Sequence, residues 1–493
     1  MVKDGSDLRR FPPIAVVPSV KRMVMKPPRV VFFDDNVRGI GGHYFELMSV
    51  LASEANAQGW RPVAVTHRDL PLDQRPDGCA EVHRIFRTHR LLDASLGVDG
   101  SSRTPRDEDG RPTERERWSP AWLHRGFMRR QRRPKTMFET YRRDVCQALI
   151  ELDLGPNDRC VFQTSDDFSL LALLAGLRDF SDRLASRQRA NAPNRVDVIV
   201  HFALVDRSTR RPGKVLRAIG RQLTPPILRR GVDLRIHATT PALCQQWKQT
   251  GVPATIREIP YPIRQPTDSS ISMVDRHGAT SAPHVVMAGM PRAEKGRRCM
   301  KPLLRGLESD FQAGALRLSM QASKRVARRM FPRTLRPIAP VHRSATLSEL
   351  LNTPWKGVRF FDGHLPTEEY SRWLSSADLA IFLYEPDRYE ARASGVLIEM
   401  MSRGVPVIVP DRCHLSEVVR KRIADPDHRL IYRDHDRLID AVRQFVSNRQ
   451  TFAAAADRAA AGVRMAYHAR NVFERLQLHT NVEPLGTKAA SAA

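Results

Sequence analysis

The chain has 493 residues, 41% apolar and 27% charged, a globular composition with room for two or three domains and a sizeable core. No apolar run reaches the length of a membrane span, and the six cysteines form no C-x-x-C pair, which argues against a zinc ribbon or a disulfide framework and fits a reducing cytoplasm. The net charge of +26 suits polyanionic partners such as nucleic acid, an anionic membrane surface or phosphorylated substrates, and equally suits a solvated Arg-rich surface.

Residues 1–27 read as a basic N-terminal tail whose apolar pieces are too short and Pro-broken for a signal peptide. Arg29–Phe33 is a β-rich run ending in Asp34-Asp35-Asn36. Gly39-Ile40-Gly41-Gly42 follows, then a helical pattern from His43 to a stop at Gly59, and Arg61–Val65 restarts a strand, giving one βαβ unit. The first domain is expected over 28–263, with an insertion at about 100–145. There Arg125, Arg129, Arg130, Arg132, Arg133 and Lys135 interleave with Trp118, Trp122, Phe127 and Met128, the pattern of a basic amphipathic helix. Further strands are predicted at Arg159–Gln163, Val196–Ala203 and Asp233–Ala238.

A polar Pro/Ser/Thr stretch at 264–283 reads as a linker. A second α/β series is expected over 284–435, with strands at His284–Gly289, Leu316–Met320, Gly357–Phe361, Asp378–Tyr384 and Val405–Val409. The last of these is a continuous apolar run, as a parallel strand covered on both faces requires. Residues 436–485 read as helical and are expected to pack back on the first domain; 486–493 read as a disordered tail. The fold class is therefore α/β, two Rossmann-like doubly wound domains facing across a cleft. Such sheets bind ligands beyond the carboxyl ends of their strands.

Two stretches of the second domain carry chemistry. In Arg392-Ala393-Ser394-Gly395-Val396 a helix begins after a strand and loop. Its first amides are free and partly positive, Gly395 admits an anion to the backbone, Ser394 caps, and Arg392 adds a phosphate donor. Glu399, one turn on, suits the two hydroxyls of a ribose. The same residues also read as an ordinary cap with a surface glutamate. After His284–Ala288, the loop Gly289–Gly296 offers Arg292 and Lys295, two cations able to neutralise a leaving diphosphate or simply to be solvated.

Together these stretches resemble the GT-B glycosyltransferases, especially the large retaining family with a Gly-Arg-…-Lys-Gly motif and a Glu-x7-Glu motif followed by Gly-x-Pro-Val-Ile. Lys295-Gly296 matches the first motif, and Glu399 with Gly404-Val405-Pro406-Val407-Ile408 matches the end of the second. Ser416–Val419 resembles the helix start found next. Met290 stands where the family has Arg, with Arg292 two residues on, and Ala391 stands where the first Glu belongs, beside Glu390. The resemblance implies a sugar transfer from a nucleotide-sugar donor to an acceptor hydroxyl, with retention and without a metal or other cofactor. Arg292, Lys295 and His43 would be catalytic, and Gly41, Gly42, Arg392, Ser394, Gly395, Val396 and Glu399 would hold the donor. His201, at a strand end, and His364, in the loop Asp362–Leu365, would line the cleft. His43 reads equally as a helix-start residue and His201 as a core or capping histidine.

The expected partners are the donor and a glycan or lipid-linked acceptor in bacterial surface polysaccharide or glycolipid assembly. The basic insertion and tail suggest a cytoplasmic protein that docks peripherally on anionic lipid, or else a solvated charged loop. Two other classes stay open. A nucleic-acid-binding protein would use the +26 charge, though no recognition motif is visible and nucleic acid is not expected. A GT-B relative without catalysis, acting as a scaffold, would account for Ala391.

Overall fold

The structure, a computed structural model, describes residues 27–40, 43–88, 120–154, 157–186, 195–204, 214–222, 232–266, 282–322, 326–327, 329, 357–361 and 365–478. Gly41, Gly42, His364, most of the tail and linker, the first part of the insertion and the C-terminal end lie outside the described residues.

Two parallel sheets carry the fold. The first comprises β1 (Arg29–Phe33), β2 (Arg61–His67), β3 (Glu81–Phe86), β4 (Arg159–Ser165), β5 (Arg195–Val200), β6 (Asp233–Ala238) and β7 (Thr255–Glu258), in the order β3-β2-β1-β4-β5-β6-β7. The second comprises β8 (His284–Met287), β9 (Arg317–Gln321), β10 (Gly357–Phe361), β11 (Leu379–Ile381), β12 (Val407–Pro410) and β13 (Ile431–Tyr432), in the order β10-β9-β8-β11-β12-β13. All registered pairs are parallel. Apart from half-buried Arg29, the strands β1, β5, β8 and β12 are buried, which is why they read as mostly apolar, with Arg195, Asp197 and His284 as buried polar exceptions. Strand order reverses between β1 and β4 and again between β8 and β11, and each reversal opens a crevice at the strands' carboxyl ends.

Two expectations need correction. The strand predicted at Val196–Ala203 stops at Val200, leaving His201, Phe202 and Ala203 as loop. The insertion predicted to reach 145 gives way earlier: the helix Pro120–Glu151 buries Tyr141, Val145, Cys146, Ala148 and Leu149 in the first core. These residues recur at helical spacing, so one face must pack. It packs on the helix Asp167–Ser186, where a Cβ at Gly176 would come within 2.8 Å of the Arg142 carbonyl oxygen. Arg142 adds a fork to Asp179 at 2.6 and 2.8 Å.

The C-terminal region forms three helices, His435–Ser447, Arg449–Ala466 and Ala469–Leu476. The first packs in the second lobe through Leu438, Val442 and Phe445. The last crosses to the first lobe, where Val472, Phe473 and Leu476 join Val30, Phe32 and Trp60 in one core. Trp60 Nε1 donates to the Leu478 carbonyl at 3.1 Å.

Candidate active site in the interlobe crevice

The loop after β8 is built to hold a lysine. Gly289 adopts φ 89° and its N–H donates to Gln321 Oε1 at 3.1 Å. The amides of Lys295 and Arg297 then donate to the Arg292 carbonyl at 3.1 and 3.2 Å, closing a turn that ends at Gly296, φ 74°. Only glycine fits there, since a Cβ would overlap the Leu383 carbonyl. Lys295 Nζ consequently lies above Gly289, within 2.8 Å of where a Cβ would stand, and 5.5 Å from the Tyr384 ring centroid. Arg292 is exposed beside it.

Across the sheet reversal, the chain leaves β11 and enters the helix Gly395–Ser402. Ser394 is extended (φ −121°, ψ 106°), and its Oγ accepts from Leu397 N at 3.3 Å. The amides of Gly395 and Val396, both half-buried, have no intrahelical acceptor. Tyr261 lies over this helix mouth: a Cβ on Gly395 would meet its Cε1 at 2.9 Å. Glu399 is half-buried one turn on, and its Oε2 accepts from the Tyr370 hydroxyl at 3.3 Å. Burial raises its carboxyl pKa, opposed by the Arg403 guanidinium and the Tyr370 bond, with Lys295 also within electrostatic reach.

The first lobe faces these groups. His43 opens the helix His43–Ala57 and its ring reaches solvent within the crevice. Desolvation in the crevice, then the neighbouring Lys295, His201 and Arg292, lower its pKa. His201 Nε2 bonds the Gln163 carbonyl at 2.7 Å, and its ring meets Tyr261 edge-on at 5.4 Å. Burial pushes its pKa down to about 4, with the Gln163 bond opposing. Gln163 Nε2 in turn donates to Asp34 Oδ2 at 2.9 Å, tying the ends of β1, β4 and β5 together.

Several bonds cross the crevice. Glu46 of the first lobe accepts from Thr367 Oγ1 at 2.6 Å and from Arg264 Nε at 2.9 Å. Thr240 Oγ1 donates to the Ala391 carbonyl at 3.0 Å. The Arg392 guanidinium lies over the Phe202 ring, 5.5 Å from its centroid. Arg292, Lys295, His43, His201, Ser394, Gly395 and Glu399 thus share one interlobe crevice, with Arg392 on its first-lobe side. Ala391 points away from it, fully buried in the first lobe's core. The motif position that the family fills with Glu is here an interlobe packing contact. A separate cavity of about 380 Å³, lined by Lys248, Arg257, Glu258, Glu474 and Arg475 among others, lies elsewhere, beside β7, and holds none of these groups.

Sequence reasoning missed Tyr261, Phe202, Tyr370, Tyr384 and Glu46. Their roles come from contacts between distant segments, for which the sequence holds no local signal. Only the Pro-flanked Tyr261 marked a chain stretch of fixed direction.

Among the described residues no carboxylate pairs with Arg292, Lys295 or Arg392. By contrast Arg264 engages both Glu46 and Asp77, and Arg420 and Arg433 share Asp411. Arg292 and Lys295 thus stand near a helix N-terminus without a paired carboxylate among the described residues, and Arg392 lies against Phe202.

Residues 325–477 match the family model "Glycosyl transferase-like". No curated protein matches the sequence. Among solved structures, trehalose-6-phosphate synthase OtsA aligns with TM-score 0.55 at 10% identity, over 91% of this chain and 99% of that one. The E. coli structure described as "Trehalose-6-phosphate from E. coli bound with UDP-2-fluoro glucose" aligns with TM-score 0.53 at 12% identity, over 91% and 99%. Sucrose-phosphate synthase from Thermosynechococcus elongatus aligns with TM-score 0.52 at 15% identity, over 92% and 98%.

Proposed function

We propose that this chain, a glycosyltransferase by its GT-B fold and its glycosyl transferase-like segment, moves a sugar from a nucleotide-sugar donor to an acceptor hydroxyl. The observation that supports this reading is the convergence of Lys295, Arg292 and the N-terminus of the Gly395 helix, flanked by Tyr261, on one crevice, without a carboxylate paired to the two cations among the described residues. As the glycosidic bond to the donor breaks, negative charge gathers on the departing diphosphate. Lys295 and the Gly395 and Val396 amides are fixed in advance to receive it. Arg292 adds a second cation from the rim. Glu399 holds the nucleotide ribose, and His43 and His201 line the sugar side.

UDP-activated hexoses are the first donors to try, because the aligned neighbours include a complex with UDP-2-fluoro glucose. Retention follows from the resemblance of the Lys295-Gly296 and Glu399 motifs, and metal is not required where lysine and arginine supply the charge. The +26 charge and the basic sequence within Pro120–Glu151 favour work at an anionic lipid surface, in polysaccharide or glycolipid assembly.

The test is thermal denaturation of the full chain with UDP-, GDP- and ADP-sugars. A true donor at a hundred times its Kd adds about 2.7 kcal/mol of stability. The increment should vanish in Lys295→Ala. Absence of stabilisation by every nucleotide sugar overturns the reading, and a nucleic-acid shift unaffected by Lys295→Ala favours the basic-binder class instead.

A further inference from the structure

Glu46 is engaged from outside its own helix on both carboxylate oxygens. It stands one turn after His43 on the helix His43–Ala57 and is half-buried. Its Oε1 accepts from Thr367 Oγ1 of the second lobe at 2.6 Å. Its Oε2 accepts from Arg264 Nε at 2.9 Å, in the segment that crosses between the lobes. That segment leaves the first lobe's core at Ile259 and enters a second-lobe core at Ile263. Arg264 also donates through Nη2 to Asp77 at 2.7 Å, and the Asp77 amide donates to Ser49 Oγ, on the same helix as Glu46, at 3.1 Å. Hydrogen bonds to an ionised carboxylate fix geometry more firmly than neutral ones.

The second-lobe end of this connection lies beside the nucleotide groups. Thr367 opens the helix Thr367–Ser375, and Tyr370, one turn on, donates its hydroxyl to Glu399 at 3.3 Å. Glu46 itself is among the groups that raise the Glu399 pKa, so the two carboxylates face one another within electrostatic reach. One helical turn on each side therefore separates the Glu46–Thr367 bond from His43 and from Tyr370. Stiff helices and hydrogen bonds carry position over such a span.

We propose that Glu46 is a positioning residue for the sugar transfer: by joining Thr367 and Arg264 it sets the helix bearing His43 against the lobe that holds the nucleotide. The proposal rests on the glycosyltransferase reading and deepens it by separating two tasks. Lys295, Arg292, the Gly395 helix and Glu399 all belong to the second lobe and bind the nucleoside diphosphate. Glu46 acts on the transfer through the placement of His43 and not on the nucleotide. A small displacement of a group beside the reacting atoms costs rate far more than binding.

The experiment uses the full chain, with UDP-, GDP- and ADP-glucose as donors and water as acceptor, and follows release of the nucleoside diphosphate. Glu46→Ala should lower kcat ten-fold or more and Thr367→Val three-fold or more. Glu46→Gln, which keeps an acceptor oxygen for Thr367, should lose less than Glu46→Ala. The Kd of the nucleoside diphosphate, measured calorimetrically, should stay within two-fold of wild type in all three. Small-angle scattering should give Glu46→Ala and Thr367→Val a larger radius of gyration than wild type, at an unchanged urea midpoint. Thr367→Val leaves the first lobe's sequence intact and decides the matter if Glu46→Ala does not fold. An unchanged radius in the folded variants overturns the inference, whatever the rate. So does a loss that falls on Kd instead of kcat, which would put Glu46 on the nucleotide. Both outcomes leave the donor reading standing. A wild-type chain that binds no nucleoside diphosphate overturns the donor reading itself, and with it this inference.

Discussion

Gly296 holds φ at 74° directly beneath the Leu383 carbonyl, so Gly296→Ala meets both backbone strain and overlap with main chain. The expected cost is at least about 2 kcal/mol, read as a lowered urea midpoint. Gly289→Ala differs. The atom in its way is the mobile tip of Lys295, so beyond the φ penalty the damage should appear as weakened nucleotide binding. Glu399 should behave in the opposite sense. Its carboxyl pKa is raised by burial, so the folded chain pays for ionising it at neutral pH. Glu399→Gln should gain about 1 kcal/mol of unliganded stability and lose ten-fold or more in nucleotide affinity; a variant both less stable and unimpaired in binding would contradict this placement. At this scale the sequence showed Lys295-Gly296 and Glu399 because their spacing is local. It could not show that Tyr261 lies on Gly395, a contact across 134 positions of chain.

The histidines add a pH dependence whose sign follows from burial. His201 has a folded pKa of about 4, below the ordinary histidine value near 6.5. Between these values the unfolded chain binds more protons than the folded one, so stability rises with pH across the window. The contribution is complete above about pH 6.5 and is lost as pH falls toward 4. In His201→Gln the stability gap from wild type should narrow over that range, measured as urea midpoints between pH 7 and 4.5. A gap independent of pH would assign the acid sensitivity elsewhere.

At the scale of elements, β1, β6 and β10 match their predicted limits, β1 as an apolar run and β6 by alternation of apolar with polar residues. Those it missed, β3, β7 and β13, lie at sheet edges and, Phe86 apart, their residues are half-buried or exposed; the edge strand β10 was found because Phe360-Phe361 and Val358 mark it. Edge strands such as EVHRIF and TIRE carry too little apolar alternation to stand out. The loop ahead of the Gly395 helix gives a prediction at this scale. Motif logic suggests that Ala391→Glu should restore a contact to the donor sugar. The packing says otherwise, because that side chain would enter the first lobe's core. Burying an unpaired carboxylate there should cost about 3 kcal/mol or more and pull the loop from Thr240, without improving donor binding. Tighter donor binding in Ala391→Glu would mean that the loop is not clamped as described.

Over the whole molecule, the two lobes are joined twice, once through the segment after β7 and again by the returning helix Ala469–Leu476. The sequence showed a helix-rich C-terminus but ran it as one block, whereas Asn448 and His468 stand between three separate helices. The last helix closes the first lobe over Val30, Phe32 and Trp60. Val472, Phe473, Leu476 and Leu478 are each at most 2% exposed. At about 1.5–3 kcal/mol for each buried side chain, their removal costs about 6–12 kcal/mol, close to the whole stability of a domain. Deleting residues 469–493 should therefore unfold the first lobe while leaving the second, whose core contains none of these four side chains. The measurement is limited proteolysis with identification of the protected fragment. A surviving second-lobe fragment is the expected outcome, and a fully protected first lobe would show that the helix only decorates it. Trp60 reports the same event optically, since its indole loses the Leu478 carbonyl and becomes exposed to water.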